Sequence, residues 1–110
     1  MPNVMVRETY LNTLQTFGDV TQQINVAVEE YVTRRVIDRI KIAREKIGEF
    51  ESKYSMTYAA FSERMQADET FYQKVDCANP LWEQDTLAWE YWQAEAQEWS
   101  EKLDTLLRKS

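Results

Sequence analysis

Two apolar stripes at helical spacing limit what this chain can fold into more than any other feature. In the last third, Trp89, Trp92, Ala96, Trp99, Leu103 and Leu106 step by 3, 4, 3, 4 and 3 residues, with Trp82 seven residues before Trp89. Alternating threes and fours keep side chains on one side of a helix. The spacing predicts a helix from about Trp82 to Leu107 with all four tryptophans in one stripe, opposite Glu83, Glu90, Gln97, Glu101 and Asp104. Earlier, Val36, Ile40, Ala43, Ile47, Phe50 and Tyr54 step by 4, 3, 4, 3 and 4, a heptad-type seam. Gly48 interrupts that seam and weakens its helix by about 1 kcal/mol relative to Ala.

Magnitudes decide what the tryptophans require. Each can bury roughly 200 Å², and three left exposed would make a patch of about 600 Å², the upper end of what a monomer tolerates. Something must cover them. One cover is the seam at 36–54, long enough to pack on the last helix as an antiparallel hairpin. The other is a partner's groove, in which aromatic side chains would act as anchors. Under the second reading Trp82, Trp89, Trp92 and Trp99, with Glu90 and Glu95 among them, form a partner-binding surface.

Between the stripes, Thr57 reads as the N-cap of a helix over 58–67, with Met56 and Phe61 placed as a hydrophobic staple. DETFYQKVDCANP (68–80) reads as a short helical turn, then a loop holding Cys77 before Pro80 breaks the chain. The N-terminal half reads differently. Val4 and Val6 alternate with Asn3, Met5 and Arg7, the period of a short strand. YLNTLQTF (10–17) follows as a short helix with Thr9 as its cap and Gly18 as its stop. A longer helix starts behind Asp19 or Thr21, with Ile24, Val28, Val32 and Val36 at every fourth position. So short a strand needs a partner strand for its backbone groups, and a second copy across a two-fold axis would supply it.

The chemistry present argues against catalysis. There is no histidine, hence no Ser-His or Cys-His pair and no Glu-x-x-His metal motif. Two glycines leave no phosphate-cradling loop, and no metal, cofactor or small-molecule substrate is implied. The lone Cys77 cannot form an internal disulfide, the apolar runs are too short to span a membrane, and MPNVMVRETY lacks the apolar stretch of a signal peptide. These features suit a cytoplasmic protein. Charge is uneven: residues 1–47 hold seven Lys/Arg against six Asp/Glu, and residues 48–110 six against thirteen. The division predicts two jobs: a neutral-to-basic end over 1–47, and an acidic helical partner-binding segment over 48–110 suited to a basic partner.

PNVMVRE (2–8) and GDVTQQINVAVEEYV (18–32) together resemble the ribbon-helix-helix family. That resemblance implies a mainly α fold: a β-α-α dimerisation and DNA-binding segment over 1–47, then a long helix and a C-terminal helical hairpin. It also implies a homodimer whose ribbon reads operator DNA through Asn3, Met5 and Arg7, with Arg to guanine and Asn to adenine as physical basis. KYSMTYAAF (53–61) and DTLAWE (85–90) are similar to segments of small helical antitoxins, with Ser55 where that pattern has Gly. Together the resemblances imply an antitoxin of a toxin–antitoxin module. It would repress its own operon and neutralise a cognate toxin, a small basic protein such as a ribonuclease. The rival reading is a helical homodimeric adaptor that binds proteins and not DNA, which a pI of 4.7 favours.

Overall fold

A computed structural model describes residues 7–16 and 18–108. It contains α1 (Glu8–Gln15), α2 (Val20–Tyr54), α3 (Tyr58–Ala67), α4 (Glu69–Ala78) and α5 (Trp82–Arg108). Among the described residues there is no strand, so the expected β-α-α ribbon-helix-helix arrangement gives way to an all-helical one. Asn3 and Met5 lie outside the described residues. Arg7 does not behave as a strand residue: it is exposed, and its carbonyl accepts the first helical bond from the Leu11 N–H at 3.0 Å. The negative charge of Glu8 in the first turn suits a helix start there, and Thr9, expected as the cap, lies inside α1.

The chain divides into two compact units, Met1–Arg35 and Val36–Ser110. The division falls within α2, upstream of the 47/48 boundary read from charge. In the first unit, Gly18 takes φ +118° between α1 and α2, a backbone that side chains other than glycine's rarely adopt. Asp19 then caps α2, its Oδ1 accepting from the Gln22 N–H at 3.1 Å. Val28 and Val32 are exposed along this part of α2.

The second unit is built on the seam. Val36, Ile40 and Ala43 are buried, together with Phe61 of α3 and Trp89 of α5. α5 runs antiparallel to this stretch of α2. Lys53 and Tyr54 at the end of α2 reach Asp85 in the first turn of α5, and Phe50 stacks on Trp89 at 5.7 Å. Toward the other end, Ile37 and Ile40 share a groove of about 440 Å³ with Leu103 and Leu107. α3 starts behind Thr57, whose Oγ1 accepts from the Ala60 N–H at 3.3 Å. α4 is a full ten-residue helix rather than a single turn, because Asp68 caps it and accepts from the Phe71 N–H at 3.1 Å. That bond, with help from Arg64, holds the Asp68 carboxyl below its ordinary pKa against the opposing effect of desolvation. Cys77 therefore sits in the last turn of α4, exposed, and not in a loop.

Ser55 ends α2 in the left-handed region, φ +58°. This is where helices commonly place glycine, whose lack of a Cβ removes the steric penalty. Gly48 is the reverse case, a helical glycine with no atom within 4 Å of the Cβ it lacks. Ser55→Gly and Gly48→Ala are each expected to stabilise the protein by about 0.5–1 kcal/mol, raising Tm by a few degrees. Thermal melts of the two variants and their combination check this; a combined variant that melts below the wild type would contradict both assignments.

Candidate functional site

The tryptophan stripe faces inward. Trp89 is fully buried, inside a cage of Phe50, Tyr54, Tyr58 and Phe61 with ring centroids 5.4–5.7 Å away. It therefore belongs to the core and leaves the expected partner-binding set. Trp82, Trp92 and Trp99 are half-buried. The Trp82 indole N–H donates to Asp76 Oδ1 at 2.9 Å, and Tyr72 meets the same ring edge-on at 5.5 Å. The Trp99 N–H donates to Glu95 Oε2 at 2.7 Å, and the Lys102 ammonium stands 4.4 Å from that ring. Glu95 is thereby engaged within its own helix. Glu90 is exposed, and its charge adds to burial in raising the Tyr58 phenol pKa.

KYSMTYAAF and DTLAWE pack against each other. Lys53 Nζ and the Tyr54 hydroxyl both donate to Asp85 Oδ2 at 2.6 Å, and Tyr54, Tyr58 and Phe61 surround Trp89. These two stretches thus form a packing unit rather than an exposed surface.

The outward face of α5 is a different surface. Leu87, Tyr91 and Ala94 stand at i, i+4 and i+7, which places them on one side of the helix, and all three are exposed. Leu87 is 68% exposed and Tyr91 55%, so together they present two large apolar bodies to solvent. Glu83, Glu90, Glu98 and Glu101, all exposed, surround them on the same side. From Trp82 to Glu101 the helix has six carboxylates and no Lys or Arg. The Tyr91 phenol is pushed up chiefly by its hydrogen bond to Glu95 and by that carboxylate's charge. Arg39 of α2 acts against them from the neighbouring helix. An apolar line flanked on its own helix by carboxylates has the form of a helix offered to a groove: side chains at one-turn intervals as anchors, carboxylates beside them.

Leu87 and Tyr91 escape a reading of the sequence in which the tryptophans set the phase of the helix. Their own i, i+4, i+7 spacing, roughly opposite that phase, is the signal that marks them. Arg7 is exposed at the start of α1, and the other two residues expected to read DNA lie outside the described residues. Among the described residues no helix is long and apolar enough to cross a membrane. Comparison of the chain with protein-family models, curated proteins and solved structures finds no match.

Proposed function

We propose that this protein is a non-enzymatic binding module that docks the outer face of α5 into the groove of a basic protein partner. The observation that carries the reading is the exposed Leu87–Tyr91–Ala94 line flanked along its own helix by carboxylates, with the Arg39 cation of α2 also near Tyr91. Carboxylates at a rim speed encounter with a cationic surface and exclude acidic partners, while the apolar centre supplies most of the affinity. The antitoxin-like stretches 53–61 and 85–90 favour a toxin as that partner, held inactive by direct binding. Operator binding through a ribbon forms no part of this proposal, since the described residues hold no strand to build one.

The test is quantitative binding of full-length protein to the basic partner it recovers from its native cells. Leu87→Ala with Tyr91→Ala is expected to weaken that complex about 100-fold, the effect of losing central anchors. Glu90→Gln with Glu98→Gln should mainly slow association and flatten its salt dependence. Growth rescue on co-expression with the partner would identify it as a toxin. Affinity that is indifferent to the Leu87 and Tyr91 substitutions would sink the proposed face.

A further inference from the structure

We propose that the groove between the middle of α2 and the C-terminal part of α5 binds a small anionic amphiphile, an alkyl chain that carries a carboxylate. The groove offers about 440 Å³, within the range of small-ligand sites. Ile37 and Ile40 of α2 and Leu103 and Leu107 of α5 form its apolar walls. Ile40 is buried, but Ile37 is 41% and Leu107 59% exposed, so the walls still present apolar area to solvent.

One end of the groove is polar. α2 and α5 run antiparallel, which sets Leu107 toward Ile37 and Ser100 toward Arg44. Lys41 and Arg44, one turn apart on α2, both line it. Both are exposed, and neither forms an ion pair with another described residue. Ser100 is half-buried there, and its hydroxyl has no hydrogen-bond partner among the described residues. Thr86 and Thr105 of the same helix, by contrast, each donate to the carbonyl four residues back. The carboxylate on the wall, Asp104, is already matched by Arg108, with Nη2 2.8 Å from Oδ2.

These features define the ligand's chemistry. A guanidinium and an ammonium one turn apart can share one carboxylate, with the Ser100 hydroxyl as a further donor. A tail running from there toward Ile37 and Leu107 would cover the apolar walls. A neutral apolar ligand leaves the two cations unanswered, and a bare anion leaves the walls wet. A docked helix, about 10 Å across, would use up this space in roughly one turn, too short a contact to hold it. The groove shares no residue with the Leu87–Tyr91–Ala94 line, and each can fail without the other.

Calorimetric titration of full-length protein with decanoate, below its micelle concentration, tests the site. One-to-one binding at sub-millimolar Kd is expected, roughly tenfold weaker for octanoate, which lacks two methylenes. Decyltrimethylammonium, with the same chain and a cationic head, should bind at least about tenfold more weakly than decanoate. The net charge of −6 alone would favour the opposite order. Lys41→Gln/Arg44→Gln should abolish the preference for the anion. Ile37→Gln/Leu107→Gln should weaken decanoate about tenfold, whereas Ile42→Gln should not, Ile42 being 42% exposed and outside the groove. The Leu87→Ala/Tyr91→Ala protein should bind decanoate as wild type does.

No saturable decanoate binding, or binding indifferent to the Lys41/Arg44 or Ile37/Leu107 changes, would overturn the assignment. So would loss of binding in the Leu87/Tyr91 variant, which would put the ligand on the other face of α5. A wild type that self-associates until Ile37 and Leu107 are replaced would also overturn it, since a second copy would then fill the groove.

Discussion

Replacing Trp89 with Ala is expected to cost about 3–5 kcal/mol, enough to leave the second unit largely unfolded at room temperature if its stability lies near the low end for domains. Trp89 of α5 is the residue against which α2 and α3 close. Phe50 and Tyr54 of α2 stack on its ring with interplanar angles of 20° and 15°, Tyr58 of α3 meets it edge-on, and Phe61 of α3 is tilted against it. Removing the indole leaves a cavity bordered by four aromatic rings, too stiff to collapse into the space by a rotamer change. Trp89→Phe should behave quite differently. The Trp89 Nε1 is buried without a hydrogen-bond partner, and such a donor costs about 1–3 kcal/mol of desolvation. Phenylalanine gives up some contact area but removes that penalty as well, so a net loss of about 1–2 kcal/mol is expected. Urea unfolding followed by far-UV circular dichroism measures both. An Ala variant less than about 1 kcal/mol below wild type would show that the cage is not the centre of the core.

How the core reads from the sequence follows from spacing. Alternating threes and fours hold a stripe in phase with the helix, and both stretches with that alternation, 36–54 and 89–106, face each other in the structure. Every-fourth spacing does not hold phase. It turns the stripe about 40° around the helix at each step, so Ile24, Val28 and Val32 do not simply extend the face that Val36 begins. Treating them as one stripe conceals the open apolar face of the first unit. α3 is legible because Thr57 offers a hydroxyl at the right distance before the helix, and that hydroxyl does accept the Ala60 N–H. α4 is harder to see, since its Asp68 cap also lies at the end of α3 and the sequence shows no break between the two helices.

The candidate site is less legible for a related reason. Tryptophans dominate any hydrophobicity-weighted view of α5, and burial energy draws the largest rings inward first. The surface left for a partner is therefore defined by smaller residues on the other side. Ser55 is the opposite case: a small polar residue holds a left-handed backbone angle of φ +58°, where helices commonly place glycine. Nothing in the spacing of its neighbours marks that angle, which costs a side chain with a Cβ.

The join between α2 and α5 should make stability fall at both ends of the pH scale, through one cluster. Asp85 Oδ2 accepts from Lys53 Nζ and the Tyr54 hydroxyl at 2.6 Å each, and from Asn79 Nδ2 at 3.0 Å. Partial burial pushes the Asp85 carboxyl up, but the bonds from Lys53, Tyr54 and Asn79 outweigh it and hold the group below its ordinary value of 3.8. A folded-state pKa lower than the unfolded one means that the stabilisation is complete above about pH 4 and disappears as pH falls through the folded value. Tyr54 has the opposite sign. Burial first, then the hydrogen bond and charge of Asp85, push its phenol well above 10.0, while Asn79 opposes them. Its contribution is complete below pH 10 and lost as pH rises through the folded value. Asp85→Asn is expected to lower stability at neutral pH by about 2 kcal/mol, the range for hydrogen bonds to a charged group. Below the Asp85 titration, where the native carboxyl is also neutral, the gap between variant and wild type should close. Asp68 titrates in the same acid window, so the readout is that difference and not the slope of either curve. On the alkaline side the variant should ionise Tyr54 at lower pH than wild type, because burial remains but the neighbouring charge is gone. A gap that stays constant from neutral to acid pH would remove Asp85 as the charged centre of this join.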